Sequence, residues 1–261
     1  MKDSEKIIET HSWFGDTSVV RLSRSETVTR EALVVFHGFP GQPPKGEENN
    51  YANAPKMRVE LAKVYALSTG FDAYLPSYEG LGRSRGKFCF KNSVAVSCEL
   101  VKDIVARGYE RVHVAGHSWG AFVAFNAHRA LKLSAGKMIL LAGLLDLDGE
   151  KSVRDFLPDY VKKYPEILGS DPQAFERAVA DLELTRREFN PLTYAGKMSD
   201  TGALIVHGRP DSYVDVEIAR RFHRKAGGRY IELEADHIFS DDAMKEVIER
   251  VVDFLSVRAS S

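Results

Sequence analysis

The sequence predicts an α/β fold in which a mostly parallel sheet of about eight strands is flanked by helices. Short apolar, β-branched runs alternate along the chain with segments of helical periodicity, a pattern typical of parallel sheets covered on both faces. Residues 112–122, VHVAGHSWGAF, pass from strand to helix within a few residues. Polar loops follow several of the apolar runs, as they do where the carboxyl ends of parallel strands meet at one edge.

The expected strands are the apolar runs of the sequence. Lys6–Thr10 and Ser18–Leu22 form a leading hairpin that turns at Gly15 and Asp16. The other strands cover residues 32–36, 71–75, 112–115, 137–142, 204–206 and 229–233, with Pro76 following the second of these. The expected helices cover residues 57–68, 215–226 and 242–257, a segment beginning at Ala121, and a segment capped by Asn92 or Ser93 that ends at Ala106.

The chain of 261 residues fits one domain, within which residues 144–193 differ in character. This segment carries prolines, tyrosines and many charges in short helix-like pieces, residues 153–164 and 172–183, with no strand. About fifty residues would be marginally stable alone, so we interpret the segment as a helical cap inserted in the domain. Its Tyr160 and Tyr164 are candidate pocket residues; the alternative is that the aromatic side chains only pack the cap onto the sheet.

The composition excludes several classes of protein. Lys and Arg number 36 against 37 Asp and Glu, so no charge bias points to nucleic acid or a membrane surface. The N-terminus lacks the apolar stretch of a signal peptide, and no apolar run approaches the ~18 residues of a transmembrane helix. We therefore expect a cytoplasmic protein. The sequence leaves its oligomeric state open between a monomer and a homodimer. Cys89 and Cys98 make neither a disulfide framework nor a metal site; a disulfide is conceivable, but reduced thiols are favoured.

Gly116-His117-Ser118-Trp119-Gly120 matches the G-x-S-x-G pattern of a nucleophile elbow. The turn holds its serine in a strained backbone region, and anything larger than glycine at either flank would collide with the neighbouring strand or helix. Ser118 Oγ then projects at the carboxyl edge of the sheet, beside the positive end of the next helix. Because so short a motif also occurs by chance, the strand before it and the helix after it carry the prediction.

Four loops that follow apolar strands carry residues suited to acyl transfer. They contain His37-Gly38-Phe39, Ser118, Asp211 and His237, in that chain order. A serine hydroxyl needs a base within reach, which His237 supplies, and the imidazole needs a carboxylate that holds its tautomer, which Asp211 supplies. The backbone N–H groups of Phe39 and Trp119 are the expected oxyanion donors. The expected supporting residues of these loops are His37, Gly38, Gly116 and Gly120.

Asp211 is the preferred acid among four aspartates because its loop directly follows a strand. Asp215 is also placed to cap the helix that it precedes, and Asp236 adjoins His237 in sequence, where it is badly placed to bond that ring. Asp146, after the preceding strand, is the remaining substitute. The other histidines near these loops are expected to be structural: His37, His113, His117 and His207, of which His37 and His207 bond local backbone.

These residues resemble the α/β-hydrolase superfamily over nearly the whole chain, including its order of serine, acid and histidine. Within it, the chain is most similar to small serine esterases of the cinnamoyl (feruloyl) esterase type. The matching stretches are HGF at 37–39, GLGRSRGKF at 80–88, GHSWG at 116–120, HGRPD at 207–211 and ADHIFS at 235–240. The resemblance implies a helical insertion after the sixth strand of the shared fold, in agreement with residues 144–193.

The chain departs from the cinnamoyl esterase pattern near the acyl pocket. Ser77 stands where family members commonly have aspartate, and Trp119 where they often have glutamine. Residues 42–55 form a longer loop than the family implies, which is either a lid beside the site or a solvated surface excursion. The departures leave the three triad positions unchanged.

Residues and resemblance together predict hydrolysis of a small-molecule carboxylic ester through an acyl-serine intermediate, without metal or cofactor. Hydrolysis of amides, peptides or thioesters, and perhydrolase activity, use the same triad and stay open. A catalytically silent ligand-binding module is the alternative from another class; such modules typically lose a triad member, whereas Ser118, Asp211 and His237 are all present. Labelling by a fluorophosphonate distinguishes the two, because a silent module leaves Ser118 unmodified.

Overall fold

A computed structural model of the chain describes residues 7–24, 29–39, 54–131, 135–148, 157–158, 161–162, 164–198, 202–240 and 242–257. The described strands are β1 Ile8–Phe14, β2 Thr17–Ser23, β3 Glu31–Phe36, β4 Asp72–Ser77, β5 Arg111–His117, β6 Ala135–Leu141, β7 Ala203–Gly208 and β8 Arg229–Leu233. They form one sheet in the order β1-β2-β4-β3-β5-β6-β7-β8. Strand β2 is antiparallel to β1 and β4, and the other pairs are parallel. The predicted mostly parallel α/β sheet is confirmed.

Helices connect the parallel strands. They are α1 Ala54–Thr69, α2 Phe90–Ala106, α3 Trp119–Leu131, α4 Pro165–Leu168, α5 Ala174–Phe189, α6 Pro191–Tyr194, α7 Val216–Ala226 and α8 Asp242–Ser256, with a 3₁₀ turn at Ala195–Lys197. Between β6 and β7 the described residues form helices and no strand. Most of the helix expected over residues 153–164, including Tyr160, lies outside the described residues, as does most of the loop at 42–55.

Both faces of the central strands are buried, which explains why β3, β5 and β7 read as continuous apolar runs, whereas the edge strand β1 is largely exposed. One core contains Val34, Val114 and Leu140 of the sheet together with apolar side chains of α2, α3, α5 and α7. The opposite core contains Leu33 and Ile139 together with side chains of α1 and α8. Neighbouring residues of one strand face opposite cores. The loops that follow the parallel strands therefore leave the sheet at its carboxyl edge, between the two cores.

Several expected boundaries differ from the observed ones, among them β1, which extends to Phe14, and α3, which begins at Trp119; two others have a clear physical cause. Strand β4 continues through Pro76, which pairs with Val19 of the antiparallel strand β2. Pairing of β4 with β3 ends at Tyr74, so the missing N–H of Pro76 breaks no bond on that side. Helix α2 begins at Phe90, before the Asn92 or Ser93 cap that its sequence suggested.

The true cap of α2 comes from another helix. The carboxylate of Asp181, on α5, accepts hydrogen bonds from the backbone N–H groups of Phe90 at 2.5 Å and Lys91 at 3.2 Å. A negative side chain at this end of a helix also interacts favourably with its dipole. Ser93 instead donates its hydroxyl to Phe90 O at 2.7 Å, inside the first turn. The expected cap at Asn92 or Ser93 was therefore wrong, because the side chain that caps α2 lies 91 residues from Phe90 in sequence.

Candidate active site

Ser118 lies in the tight turn between β5 and α3. Its φ is 56°, a left-handed conformation that is unfavourable for a residue with a side chain. Three backbone hydrogen bonds hold it there. Ser118 N donates to Leu141 O at 2.9 Å, and Ser118 O accepts from Ala121 N at 3.0 Å and Leu144 N at 3.2 Å. The end of β6 therefore fixes the strained turn, and the serine stays partly accessible.

The two glycines of the elbow are required by close backbone approach. A Cβ atom on Gly116 would lie 2.0 Å from Gly120 O, and one on Gly120 would lie 2.4 Å from Phe36 O. Both contacts are far shorter than real carbon–oxygen contacts, and both involve main-chain atoms that cannot rotate away. The predicted collision is therefore present at both positions.

The loop after β3 passes directly beside the serine. A Cβ on Gly38 would lie 3.2 Å from Ser118 Cβ, so the loop lies in contact with the elbow. His37 is buried; its Nδ1 lies 2.8 Å from Gly38 O, and its own carbonyl accepts the hydroxyl of Tyr78 at 2.8 Å. The local backbone bond expected of His37 is thus present. Phe39 packs its ring against Trp119, with centroids 5.4 Å apart.

Trp119 is the first residue of α3, where a helix has N–H groups without an intrahelical acceptor. Its indole is fully buried, donates to Ser93 Oγ at 3.0 Å and stacks on Phe122 with centroids 4.5 Å apart. These contacts fix the first turn of α3 relative to the body of the sheet. The backbone N–H of Trp119 is therefore held next to Ser118 by a rigid element.

Asp211 and His237 are joined by a hydrogen bond of 2.7 Å between Asp211 Oδ2 and His237 Nδ1. The other carboxylate oxygen of Asp211 accepts the backbone N–H groups of Tyr213 at 2.8 Å and Val214 at 2.9 Å. The Asp211 side chain is fully buried, and burial alone would raise its pKa. Hydrogen bonds donated by His207, His237 and the backbone of Val214 have a larger, opposite effect and hold the pKa of Asp211 well below its usual range, so the carboxylate stays ionised.

The other three aspartates have different partners. Asp146 is buried and accepts hydrogen bonds from Asn190 at 3.0 Å and Arg221 at 2.8 Å. Asp215 caps α7 by accepting Glu217 N at 2.9 Å. Asp236 accepts both the backbone N–H and the hydroxyl of Ser240, and it is exposed. Asp211 is therefore the aspartate of these four that bonds His237.

Two histidines that the sequence assigned to structure touch the site. His207 Nε2 lies 3.0 Å from Val214 O, the expected backbone bond, and also 3.2 Å from Asp211 Oδ2. His117 Nε2 lies 2.7 Å from His237 O, and the two rings are 4.8 Å apart between centroids. Each histidine stands in a motif that also carries a site residue, which is the one sequence signal that could have indicated these contacts. His113, in contrast, bonds Glu31 at 2.8 Å near the start of β5.

Ser118 and His237 lie at the same edge of the sheet, since His117 adjoins the serine and contacts the His237 loop. Among the described residues no hydrogen bond joins Ser118 Oγ to the His237 ring. Catalytic bonds are often long in a free enzyme and tighten when substrate binds. Within the same residues, no group of three His, Cys, Asp or Glu side chains is arranged to hold a metal ion.

Tyr164 and the two cysteines lie apart from this hydrogen-bonded set. Tyr164 is buried within the core that also contains Trp119 and Leu144, and it directly precedes α4. Cys89 and Cys98 are both free thiols, as favoured from the sequence, and burial raises the pKa of each to about 11. Their thiols are therefore protonated and poorly nucleophilic at neutral pH.

Residues 33–250 match the alpha/beta hydrolase family, a span that includes every element from β3 to most of α8. The chain belongs to the alpha/beta hydrolase family. Known hydrolase structures agree in fold. No curated protein sequence is significantly similar to the chain. Among the described helices of this hydrolase, none is long and apolar enough to cross a bilayer.

Three similar structures illustrate the range of the fold. An esterase from Pyrococcus furiosus has a TM-score of 0.62 and 17% identity, with 97% of this chain and 92% of that chain covered. A soluble variant of monoglyceride lipase from Saccharomyces cerevisiae has a TM-score of 0.62 and 16% identity, with 97% of both chains covered. An enol-lactonase from Burkholderia xenovorans has a TM-score of 0.63 and 15% identity, with 95% and 100% covered. At these identities the likeness establishes the fold alone.

Proposed function

We propose that this alpha/beta hydrolase is a serine esterase that cleaves small-molecule carboxylic esters through an acyl-serine intermediate. In this proposal Ser118 is the nucleophile, His237 the general base and Asp211 the acid that orients it. The observation that carries the proposal is the 2.7 Å bond between Asp211 and His237, in a loop held against the strained elbow of Ser118. Family membership gives the hydrolase chemistry that these residues would perform.

The reaction follows from the position of each group. His237 Nε2 takes the proton of Ser118 Oγ as the oxygen attacks the ester carbonyl carbon, while Asp211 stabilises the imidazolium that forms. The backbone N–H groups of Phe39 and Trp119 bind the oxyanion, each worth about 3 kcal/mol by the subtilisin example. The imidazolium then protonates the leaving alcohol. Water, activated by the same imidazole, cleaves the acyl-serine bond and releases the acid.

The substrate class is supported by chemistry that similar folds share. The neighbouring structures are named as an esterase, a lipase and a lactonase, and a lactone is a cyclic ester. Feruloyl-type acyl groups remain the specific expectation from the sequence, with amides, peptides, thioesters and perhydrolysis as other uses of the same triad. The cap over residues 144–193, with Tyr160 and Tyr164, would roof the acyl site. Cytoplasmic location and a monomeric or dimeric state stay predictions.

The test combines labelling with turnover. Wild-type protein should be labelled by a fluorophosphonate at Ser118 and should hydrolyse 4-nitrophenyl esters, assayed from acetate to dodecanoate with feruloyl esters added. Ser118→Ala should abolish labelling and lower kcat by several orders of magnitude, of order 10⁶ in the subtilisin example, with the fold intact. A mutant that kept more than about a hundredth of the wild-type rate would rule out the covalent mechanism. An unlabelled wild type would favour the silent binding module.

A further inference from the structure

We propose that His117 is a positioning residue whose imidazole holds the His237 loop in register with the nucleophile elbow. The proposal rests on the proposed function, since it assigns a task within the same site. The sequence offers His117 only as a variable position of the elbow motif. The structure places its side chain between the segments that must act together.

The contact with the base loop is direct and directional. His117 Nε2 lies 2.7 Å from the backbone oxygen of His237, and a carbonyl can only accept, so Nε2–H is the donor. The two rings also pack with centroids 4.8 Å apart at 53°. One imidazole therefore restrains both the backbone and the ring of His237. The side chains of the flanking residues Asp236 and Ile238 are exposed, whereas the ring of His237 is partly buried against His117.

The side chain of His117 also lies beside the loop that carries Phe39, the proposed oxyanion donor. A Cβ on Gly38 would lie 3.4 Å from His117 Nδ1 and 3.2 Å from Ser118 Cβ. His117 is the last residue of β5 and pairs with Leu141 of β6, so its backbone is fixed by the sheet. Nucleophile turn, glycine loop and base loop therefore meet on one side chain that a rigid strand supports.

The charge of this side chain must stay constant during the reaction. An imidazolium on His237 would be opposed by a second cation less than 5 Å away, whereas a neutral ring only donates its bond. Burial, and then the neighbouring charge of His237, lower the pKa of His117 to about 4. The other titratable groups that act on it are Asp211 and His207, and His117 stays neutral wherever a histidine base works.

Two amide replacements separate the positioning role from simple packing. His117→Gln carries an amide nitrogen about where Nε2 stands, so it can still donate to His237 O. His117→Asn has the same functional group but is one methylene too short to reach. Misplacement of a reacting group by about 1 Å costs on the order of 10²-fold in rate. We expect kcat to fall about 100-fold in His117→Asn, with KM changed less than about twofold, and most of it to return in His117→Gln.

A buried histidine elsewhere supplies the matched control. His128 Nε2 bonds Gly136 O at 2.9 Å, the same kind of bond, near the other end of α3. His128→Asn should lower Tm and leave kcat unchanged. Each variant is measured by Tm, by steady-state turnover of a 4-nitrophenyl ester and by the rate of fluorophosphonate labelling.

The outcomes distinguish the inference from the function on which it rests. A wild type that neither turns over esters nor reacts with the probe overturns the esterase proposal. An active wild type with His117→Asn at near-normal kcat overturns the positioning role alone. Equal loss in His117→Gln and His117→Asn overturns it too, since the hydrogen bond would then not be what matters. If one of the two His117 variants fails to fold, the fluorophosphonate labelling rate of the other is compared with that of His128→Asn. The positioning role then requires slow labelling of His117→Asn or near-normal labelling of His117→Gln.

Discussion

Gly120→Ala tests the steric basis of the nucleophile elbow. Its new Cβ would lie 2.4 Å from Phe36 O and 2.7 Å from His37 O, where contacts below 3.0 Å are essentially never found. The backbone would therefore have to move by about 0.6 Å (3.0 minus 2.4 Å), and both obstacles are main-chain atoms of β3 or the residue that follows it. Overpacking of this kind costs up to about 3 kcal/mol of unfolding free energy.

A second effect opposes the clash. Gly120 lies in the first turn of α3, and alanine is favoured over glycine in a helix by about 1 kcal/mol. The clash wins, and we expect a net loss of about 2 kcal/mol. For a domain of this size each kcal/mol lowers Tm by about 2–4 °C, so Tm should fall by about 4–8 °C. Displacement of the Trp119 N–H and of Ser118 should also slow fluorophosphonate labelling by about 100-fold.

Gly196→Ala is the matched control, because it adds the same methyl group to a glycine with nothing within 4 Å of its Cβ position. Its Tm should change by no more than about 1–2 °C, which corresponds to the ±0.5 kcal/mol typical of an uncrowded surface site, and its labelling rate should stay normal. Differential scanning calorimetry and gel-based labelling measure both variants. A Gly120→Ala protein with wild-type Tm and wild-type labelling would refute the steric explanation of the motif.

Three further outcomes are expected. Asp211→Asn should lower kcat by about 10⁴-fold, as in the trypsin example. Asp146→Asn should lower Tm and leave kcat nearly normal, because it disturbs bonds to Arg221 and Asn190 and none to His237; the reverse result would transfer the acid role to Asp146. The pKa of His117 is about 4 in the fold against an ordinary 6.5, so the unfolded chain binds its proton more readily. The contribution of His117 to the free energy of unfolding is present above pH about 6.5 and is lost as the pH falls toward 4. Urea titrations should therefore show a smaller loss of unfolding free energy across that pH window in His117→Gln than in the wild type. Tyr164→Ala should lower Tm, because the side chain is buried. If the cap roofs the site, the variant should also change the order of preference among acyl chain lengths; an unchanged order would mean that Tyr164 only packs the cap onto the sheet.

The parts of the molecule that could be predicted from sequence are those whose cause is local. The elbow was predictable because the glycines at 116 and 120 are required by contacts within their own strand–turn–helix unit and the strand beside it. The β8 bounds, Arg229–Leu233, agree with the expected ones because a short stretch with Tyr230, Ile231 and Leu233 begins directly after Gly227 and Gly228. Helix α7 likewise follows its own cap at Asp215.

Contacts between residues that are far apart in sequence could not be predicted from local sequence patterns. Asp181 caps α2 from a helix in a different part of the chain, and nothing near residue 90 indicates it. The contact of His117 with His237 joins residues 120 apart in sequence. Such pairs depend on the strand order and on which loops meet at the carboxyl edge, and these are properties of the assembled sheet.

The candidate acids show how the assembled sheet gives different partners to residues that spacing leaves equivalent. Asp146, Asp211 and Asp215 all lie shortly after a strand of the parallel sheet, so spacing alone gives each a similar opportunity to reach His237. What separates them is competition for the carboxylate. The carboxylate of Asp146 forms an ion pair with Arg221, and that of Asp215 accepts a hydrogen bond from the first turn of α7. Among the residues that the structure describes, no arginine or lysine bonds Asp211; backbone N–H groups bond one carboxylate oxygen, and the imidazoles of His207 and His237 bond the other. Its full negative charge is therefore available to stabilise an imidazolium, which is the property that a triad acid requires.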